Sequence, residues 1–112
     1  MQLKTEIVAP GVIKVNLSGR MDIAGAAAID LHFNALVGSE RALIIDLSEV
    51  SFIASMGLRT LILGARTVAY KGGRMVLLNP NPNVEEVLRT IGIETMVRIV
   101  RTLDDAIQAV SG

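Results

Sequence analysis

The 112-residue sequence has no cysteine and no tryptophan, and only three aromatic side chains, two phenylalanines and one tyrosine. Without a thiol there is neither a disulfide framework nor a thiolate metal site. A single histidine, His32, excludes a histidine-rich metal site as well. An excess of one charge is also missing. Eleven basic residues balance eleven acidic ones, which removes the positive footprint that contacts to a phosphate backbone require and argues against nucleic acid as a partner. Charges cut every long apolar stretch well short of the ~20 residues a membrane span needs, so no membrane is expected. The Met-Gln-Leu-Lys start lacks the apolar h-region of a signal peptide, and a soluble cytoplasmic domain is the expectation.

What is present is aliphatic. Hydrophobic residues make up 51% of the chain and the mean hydropathy is +0.51, the composition of a core-forming chain and not of a disordered one. At 11.9 kDa there is room for one core, so residues 1–112 are expected to form a single domain.

Periodicity sorts the segments. "LKTEIV" (3–8) and "VIKVNLS" (12–18) alternate apolar and polar residues and read as a hairpin turning at Pro10-Gly11. Ile23 through Val37 carries apolar residues at helical spacing, with Gly38 as a left-handed cap. "RALIIDL" (41–47) is a short branched run, as expected for a strand covered on both faces. From Ser55 to Tyr70, residues Leu58, Leu61, Ile62, Ala65, Val68 and Ala69 form one helical stripe that Gly72 and Gly73 end. A strand (74–79), a helix with an asparagine cap (83–92), a strand (96–100) and a last helix (103–110) follow. The order is β-β-α-β-α-β-α-β-α. It implies an α/β fold with a mixed, mostly parallel sheet opening on a hairpin, whose functional loops lie at the carboxyl ends of the strands.

"FIASMGLRTL" (52–61) breaks at such an end, and Ser55 stands at the break. Three roles fit a hydroxyl there. Serine is a favoured N-cap. "IASMG" also compares with the G-x-S-x-G nucleophile elbow, although Ile53 fills the first glycine position and His32 is the only base available, with Asp22, Asp30 or Asp46 to orient it. Finally, a phosphate on Ser55 would be welcomed by the free N–H groups and dipole of a helix N-terminus. Neither G-x-x-x-x-G-K-[ST] nor G-x-G-x-x-G occurs in the chain.

"ALIIDLSEVSFIASMGLRTLI" (42–62) resembles the signature of STAS domains, named for sulphate transporters and anti-sigma factor antagonists: a strand ending in Asp-Leu-Ser, a short link, then Asp-Ser-Ser-Gly-Leu opening a helix. "LSGRMD" (17–22), "GGRMVLLN" (72–79) and "NVEEVLRTIGI" (83–93) are similar to further family segments in the same order. Length and the lack of a membrane segment match the free-standing antagonist branch. The family's phosphorylated serine falls on Ser55 and its glycine on Gly57, while Ala54 replaces the aspartate and Met56 the second serine.

The resemblance implies partner switching. The unphosphorylated chain would bind a serine kinase that doubles as an anti-sigma factor, phosphorylation of Ser55 would release it, and a metal-dependent serine phosphatase would reset the cycle. The chain itself would hold no cofactor and would be no enzyme. Asp22 and Asp46, each expected at a strand end, would flank the site. Helical geometry sets Met56, Arg59, Thr60, Leu63, Thr67 and Tyr70 opposite the core stripe, and Met56, Arg59 and Leu63 join Ala54 and Gly57 as candidate partner contacts. A monomer suits a one-to-one switch. The alternative is a ligand- or nucleotide-sensing STAS module without a phosphoswitch.

Overall fold

In the computed structural model, which describes residues 1–111, the chain follows the expected order. Strands β1 (Gln2–Ala9) and β2 (Val12–Met21) form the hairpin; α1 (Ile23–Ser39), β3 (Ala42–Ile53), α2 (Ser55–Tyr70), β4 (Arg74–Leu78), α3 (Pro82–Thr90), β5 (Arg98–Val100) and α4 (Leu103–Ser111) follow. The sheet order is β1-β2-β3-β4-β5, with the first pair antiparallel and the others parallel. Each crossover therefore advances by one strand in the same direction. Connections of one hand must then stack α1, α2 and α3 on one face of the sheet. Helix α4 follows the last strand and is free to cover the other face.

The core divides accordingly. On the three-helix face, Val15, Leu17, Leu43, Ile45, Leu47 and Leu77 meet Ile29 and Phe33 of α1, Leu61 and Val68 of α2, and Leu88 of α3. On the opposite face Ile44, Val76 and Leu78 meet Ala106 and Val110 of α4. Alternate residues of β3 and β4 thus enter different cores, which explains why these strands read as unbroken apolar runs.

Several boundaries differ from the sequence reading, three of them for a physical reason visible in the structure. Strand β3 does not end near Leu47 but runs to Ile53, pairing with β2 as far as Met21↔Ile53. Two register shifts, at Asn16/Ser18 and Gly19/Arg20, insert extra residues into β3. Its inward residues therefore become Leu47, Val50 and Ile53, spaced by three, and the period of two disappears. Helix α1 passes through Gly38 to Ser39 with no left-handed residue there. Its last carbonyls are held by Lys71, whose Nζ donates to Val37 O at 2.6 Å and Glu40 O at 2.8 Å. Helix α3 is capped by Asn81 and not Asn83: Asn81 Oδ1 accepts from Val84 N at 3.0 Å, with Pro82 in the first turn. Ala69, placed on the core stripe of α2 by its spacing, is exposed.

Candidate functional site

The site forms where β2 and β3 end side by side. Ala54 N donates to Met21 O at 3.1 Å, so the β2–α1 junction is tied to the β3–α2 junction and the N-termini of α1 and α2 are neighbours. The two helices enter in the same way. Each is preceded by an extended residue, Asp22 (φ −93°) and Ala54 (φ −129°), and each has glycine as its third residue, Gly25 and Gly57. A Cβ on Gly25 would lie 1.9 Å from Arg20 O; one on Gly57 would lie 2.6 Å from both Met21 O and Met21 Cγ. Only glycine lets these first turns sit so close to the end of β2.

The capping differs. Asp22 Oδ1 accepts from Gly25 N at 2.8 Å, and Oδ2 lies 3.5 Å from Arg20 Nε. The Gly25 N–H foremost, and then the Arg20 guanidinium, hold the Asp22 carboxyl below its ordinary range against an opposing effect of desolvation. At α2 the equivalent position is the methyl of Ala54, and no side chain caps the helix. The first bond of the helix is Leu58 N to Ala54 O at 3.0 Å, which leaves the N–H groups of Ser55, Met56 and Gly57 ahead of the ladder. There is no acidic residue in this first turn.

Ser55 is thus the first helical residue and not the N-cap, which corrects the capping role. The extended backbone ends at Ala54, one residue earlier than the cap reading requires, and Ser55 stands exposed within the first turn. His32 does not serve it as a base. It is exposed, on the flank of α1 away from α2, since Ile23, Ala26, Ala27 and Asp30 are the α1 residues that line the groove between the helices. Among the described residues no group of three or more histidine, aspartate or glutamate side chains could hold a metal ion.

The other candidates fall into two places. Ala54, Met56 and Gly57 flank Ser55 along the chain, Asp22 caps the neighbouring helix α1, and Arg59 and Leu63 continue along the exposed face of α2. Met56 and Leu63 are 43% and 45% exposed. Asp46 stands apart. It lies inside β3 and not at a strand end, because β3 continues seven residues beyond it, about 23 Å along the strand. It also faces the α4 side with Ile44. There its Oδ1 accepts from Ser48 N at 2.9 Å and Ser48 Oγ at 2.7 Å, bracing the first register shift, and Lys14 Nζ is 3.5 Å from Oδ2.

Two groups near the ends of β2 and β3 escape sequence reasoning. Ile23, 73% exposed, lines with Met56, Thr60, Ala26, Ala27 and Asp30 a groove of about 220 Å³ between α1 and α2. The signal for it was present, since Ile23 falls off the stripe Ile29, Phe33, Val37 that α1 buries. Arg20 stacks on Phe52, its guanidinium carbon 4.2 Å from the ring centroid, and these two residues pair across β2 and β3. That pairing exists only because β3 is longer than its apolar run.

Residues 5–106 match the model of the STAS domain family. RsfB, an anti-sigma-F factor antagonist of Mycobacterium tuberculosis, is 27% identical over 103 residues, which cover 91% of this chain and 84% of RsfB. The crystal structure of an anti-sigma factor antagonist from Mycobacterium paratuberculosis superposes with a TM-score of 0.88 at 30% identity, covering 99% of this chain and 94% of that one. The fold is also that of SpoIIAA, a Bacillus cell fate determinant, in its phosphorylated form, with a TM-score of 0.73 at 23% identity over 96% of this chain and 97% of SpoIIAA.

Proposed function

Because this chain belongs to the STAS domain family, we propose that it is an anti-sigma factor antagonist that works by partner switching through Ser55. The observation that carries this reading is the exposed Ser55 on the first turn of an uncapped 16-residue helix, followed by the exposed Met56, which lines with Ile23 the groove between α1 and α2. The relatives named as antagonists support the general role. In the unphosphorylated state the surface of Ser55, Met56, Arg59 and Leu63, with Ile23 across the groove, docks an anti-sigma factor that is also a serine kinase. ATP and magnesium belong to that kinase. Ser55 Oγ attacks the γ-phosphorus, the new O–P bond forms as the bond to ADP breaks, and the hydroxyl proton passes to the kinase.

The phosphate has opposite effects on the fold and on the complex. Within the domain, its oxygens meet the free N–H groups of Met56 and Gly57 and the positive end of the α2 dipole. No carboxylate at position 54 competes for the Gly57 N–H, so the replacement of the family's aspartate by Ala54 leaves that donor to the phosphate. In the interface, a group of charge about −1.5 to −2 beside the ionised Asp22 replaces a neutral hydroxyl, and a ~3 kcal/mol penalty lowers affinity more than 100-fold. A metal-dependent phosphatase restores the hydroxyl. The chain acts in this cycle as one domain, a substrate and a binding module, and carries no catalytic machinery of its own.

The test is intact-mass analysis with site mapping of the protein isolated from its own cells, beside a Ser55→Ala variant. A single phosphate mapping to Ser55 and missing from the variant is expected, together with retention of the kinase only by unphosphorylated protein. Absence of phosphate under every growth condition, with the same partners bound to wild type, Ser55→Ala and Ser55→Asp, would refute the switch.

A further inference from the structure

Strand β1 ends the sheet, and its outer edge is unpaired among the described residues. Eight residues of open edge are long for a strand that nothing covers, and such an edge is a template for a further strand. Its faces are set by the hairpin register. Leu3, Thr5 and Ile7 pair with Leu17, Val15 and Ile13 and point to the three-helix side, whereas Lys4 and Glu6 pair with Asn16 and Lys14 and point to the other. Ile7 is 76% exposed although it lies on the side that carries the main core. A register shift between Ile7 and Ala9 ends the regular edge, so the usable segment is Leu3–Ile7 with Thr5 at its centre.

We infer that two copies of this chain associate through β1, pairing antiparallel about a two-fold axis at Thr5. In that register Lys4 of each copy stands opposite Glu6 of the other, and Leu3 opposite Ile7, so each exposed isoleucine gains an apolar cover. The charges are already ordered for it. Lys14 Nζ lies 3.5 Å from Asp46 Oδ2 and 3.8 Å from Glu6 Oε1, an alternating row that runs outward across the sheet and stops on a carboxylate at the edge. Lys4 of the second copy supplies the next positive member.

The same charges reject other arrangements. Centring the pairing on residue 4 would oppose lysine to lysine, and centring it on residue 6 would oppose glutamate to glutamate. A parallel in-register arrangement sets like charges side by side. Lysine on an edge strand ordinarily keeps other strands away, but here a glutamate two residues later turns that barrier into a register key.

The contact is independent of the switch. Ile53, two residues before Ser55, pairs with Met21, three residues past Ser18, the last β2 residue beside β1. A dimer joined at Leu3–Ile7 therefore leaves the α2 N-terminus of each copy uncovered. This replaces the monomer expected from the sequence with a self-associating chain that binds one regulator per copy. Five residues a side are few beside the ~20 to 30 of a standard stable interface, so the dimer is weak and depends on concentration.

Sedimentation velocity on the full chain, from about 10 μM to about 1 mM in low salt, reads the association directly, and added salt should weaken it. Lys4→Glu and Glu6→Lys are each expected to abolish self-association, because each makes both charged positions alike in sign, while an equimolar mixture of the two variants regains it. Lys4 has no ion pair in its own chain among the described residues, so Lys4→Glu should leave the melting temperature unchanged and its result stands even if Glu6→Lys disturbs the hairpin through Lys14. A wild type that stays monomeric over the whole range overturns the inference. So does a dimer that persists undiminished in Lys4→Glu, or a mixture that fails to associate from two folded variants.

Discussion

Replacing Ala54 with aspartate reconstructs at α2 the cap that α1 already possesses. The backbone at Ala54 is extended (φ −129°, ψ −175°), as it is at Asp22 (φ −93°, ψ −165°), and the third helical residue after each is a glycine. An Ala54→Asp carboxylate can accept from Gly57 N as Asp22 Oδ1 accepts from Gly25 N at 2.8 Å. Exchanging alanine for aspartate at an N-cap is worth about 1 kcal/mol. For 112 residues, an unfolding entropy of about 0.24 kcal/mol/K converts this into a rise of about 4 °C in Tm. Differential scanning calorimetry at pH 7 measures it, with Asp22→Ala as the mirror experiment and a fall of similar size as its outcome. The new carboxylate bonds in its charged form, so its folded-state pKa lies below its unfolded value. The gain is then complete above about pH 4 and fades as pH falls through the folded pKa. A second consequence concerns the switch. Ala54→Asp removes the Gly57 donor from a phosphate on Ser55 and adds a like charge beside it, so phosphorylation should stabilise the variant less than the wild type. An unchanged or lower Tm at pH 7 would show that the Gly57 N–H is not free, and the account of the α2 N-terminus would fail with it.

Two further outcomes test the site and its support. Gly57→Ala places a methyl 2.6 Å from Met21 O, a backbone atom that cannot swing aside, and strain of this kind costs about 1 to 3 kcal/mol, read as a lowered midpoint in urea denaturation; a variant as stable as wild type would show that α2 does not approach β2 this closely. Glu85 accepts from both terminal nitrogens of Arg101 and from Arg89 Nε at 2.8 Å, and Arg101 foremost, then Arg89, holds its pKa at about 2 against an ordinary 4.5. Its contribution is complete above pH 4.5 and is lost as pH falls toward 2, so the difference in melting temperature between wild type and Glu85→Gln should shrink over that range, and a difference independent of pH would show that the arginines do not hold the carboxylate.

Where local chemistry decides, the sequence was legible. The hairpin turn at Gly11 has φ +73°, and Gly72, after α2, has φ +79°, conformations that glycine adopts without strain. Helix α2 spans Ser55–Tyr70 as its spacing predicts, with Leu61, Ala65 and Val68 buried and Met56, Arg59 and Leu63 exposed. The alternation of strands and helices dictated a mostly parallel sheet, since consecutive parallel strands need a crossover between them. Gly38 was misleading because the carbonyls it should have capped are bonded by Lys71, 34 positions away from Val37. Asp46 was placed near Ser55 because the apolar run stops at Leu47, whereas pairing with Ser18–Met21 carries the strand onward to Ile53.

The sequence by itself determined the elements, their order and the two-sided burial of the central strands, because helical stripes, paired alternations and turn glycines each express a preference that a few neighbouring residues satisfy. It also marked Ser55 as the polar break between a strand and a helix. Only the tertiary structure decided what surrounds that serine. The two register shifts in β3, the bond from Ala54 N to Met21 O and the fit of Gly57 against Met21 all join segments 30 or more residues apart. They leave Ser55 exposed on an uncapped helix next to Met56, and the pairing beyond the shifts carries β3 seven residues past Asp46. The physical reason is register: one extra residue in a strand reverses the facing of every residue after it, and only the partner strand fixes where that residue goes.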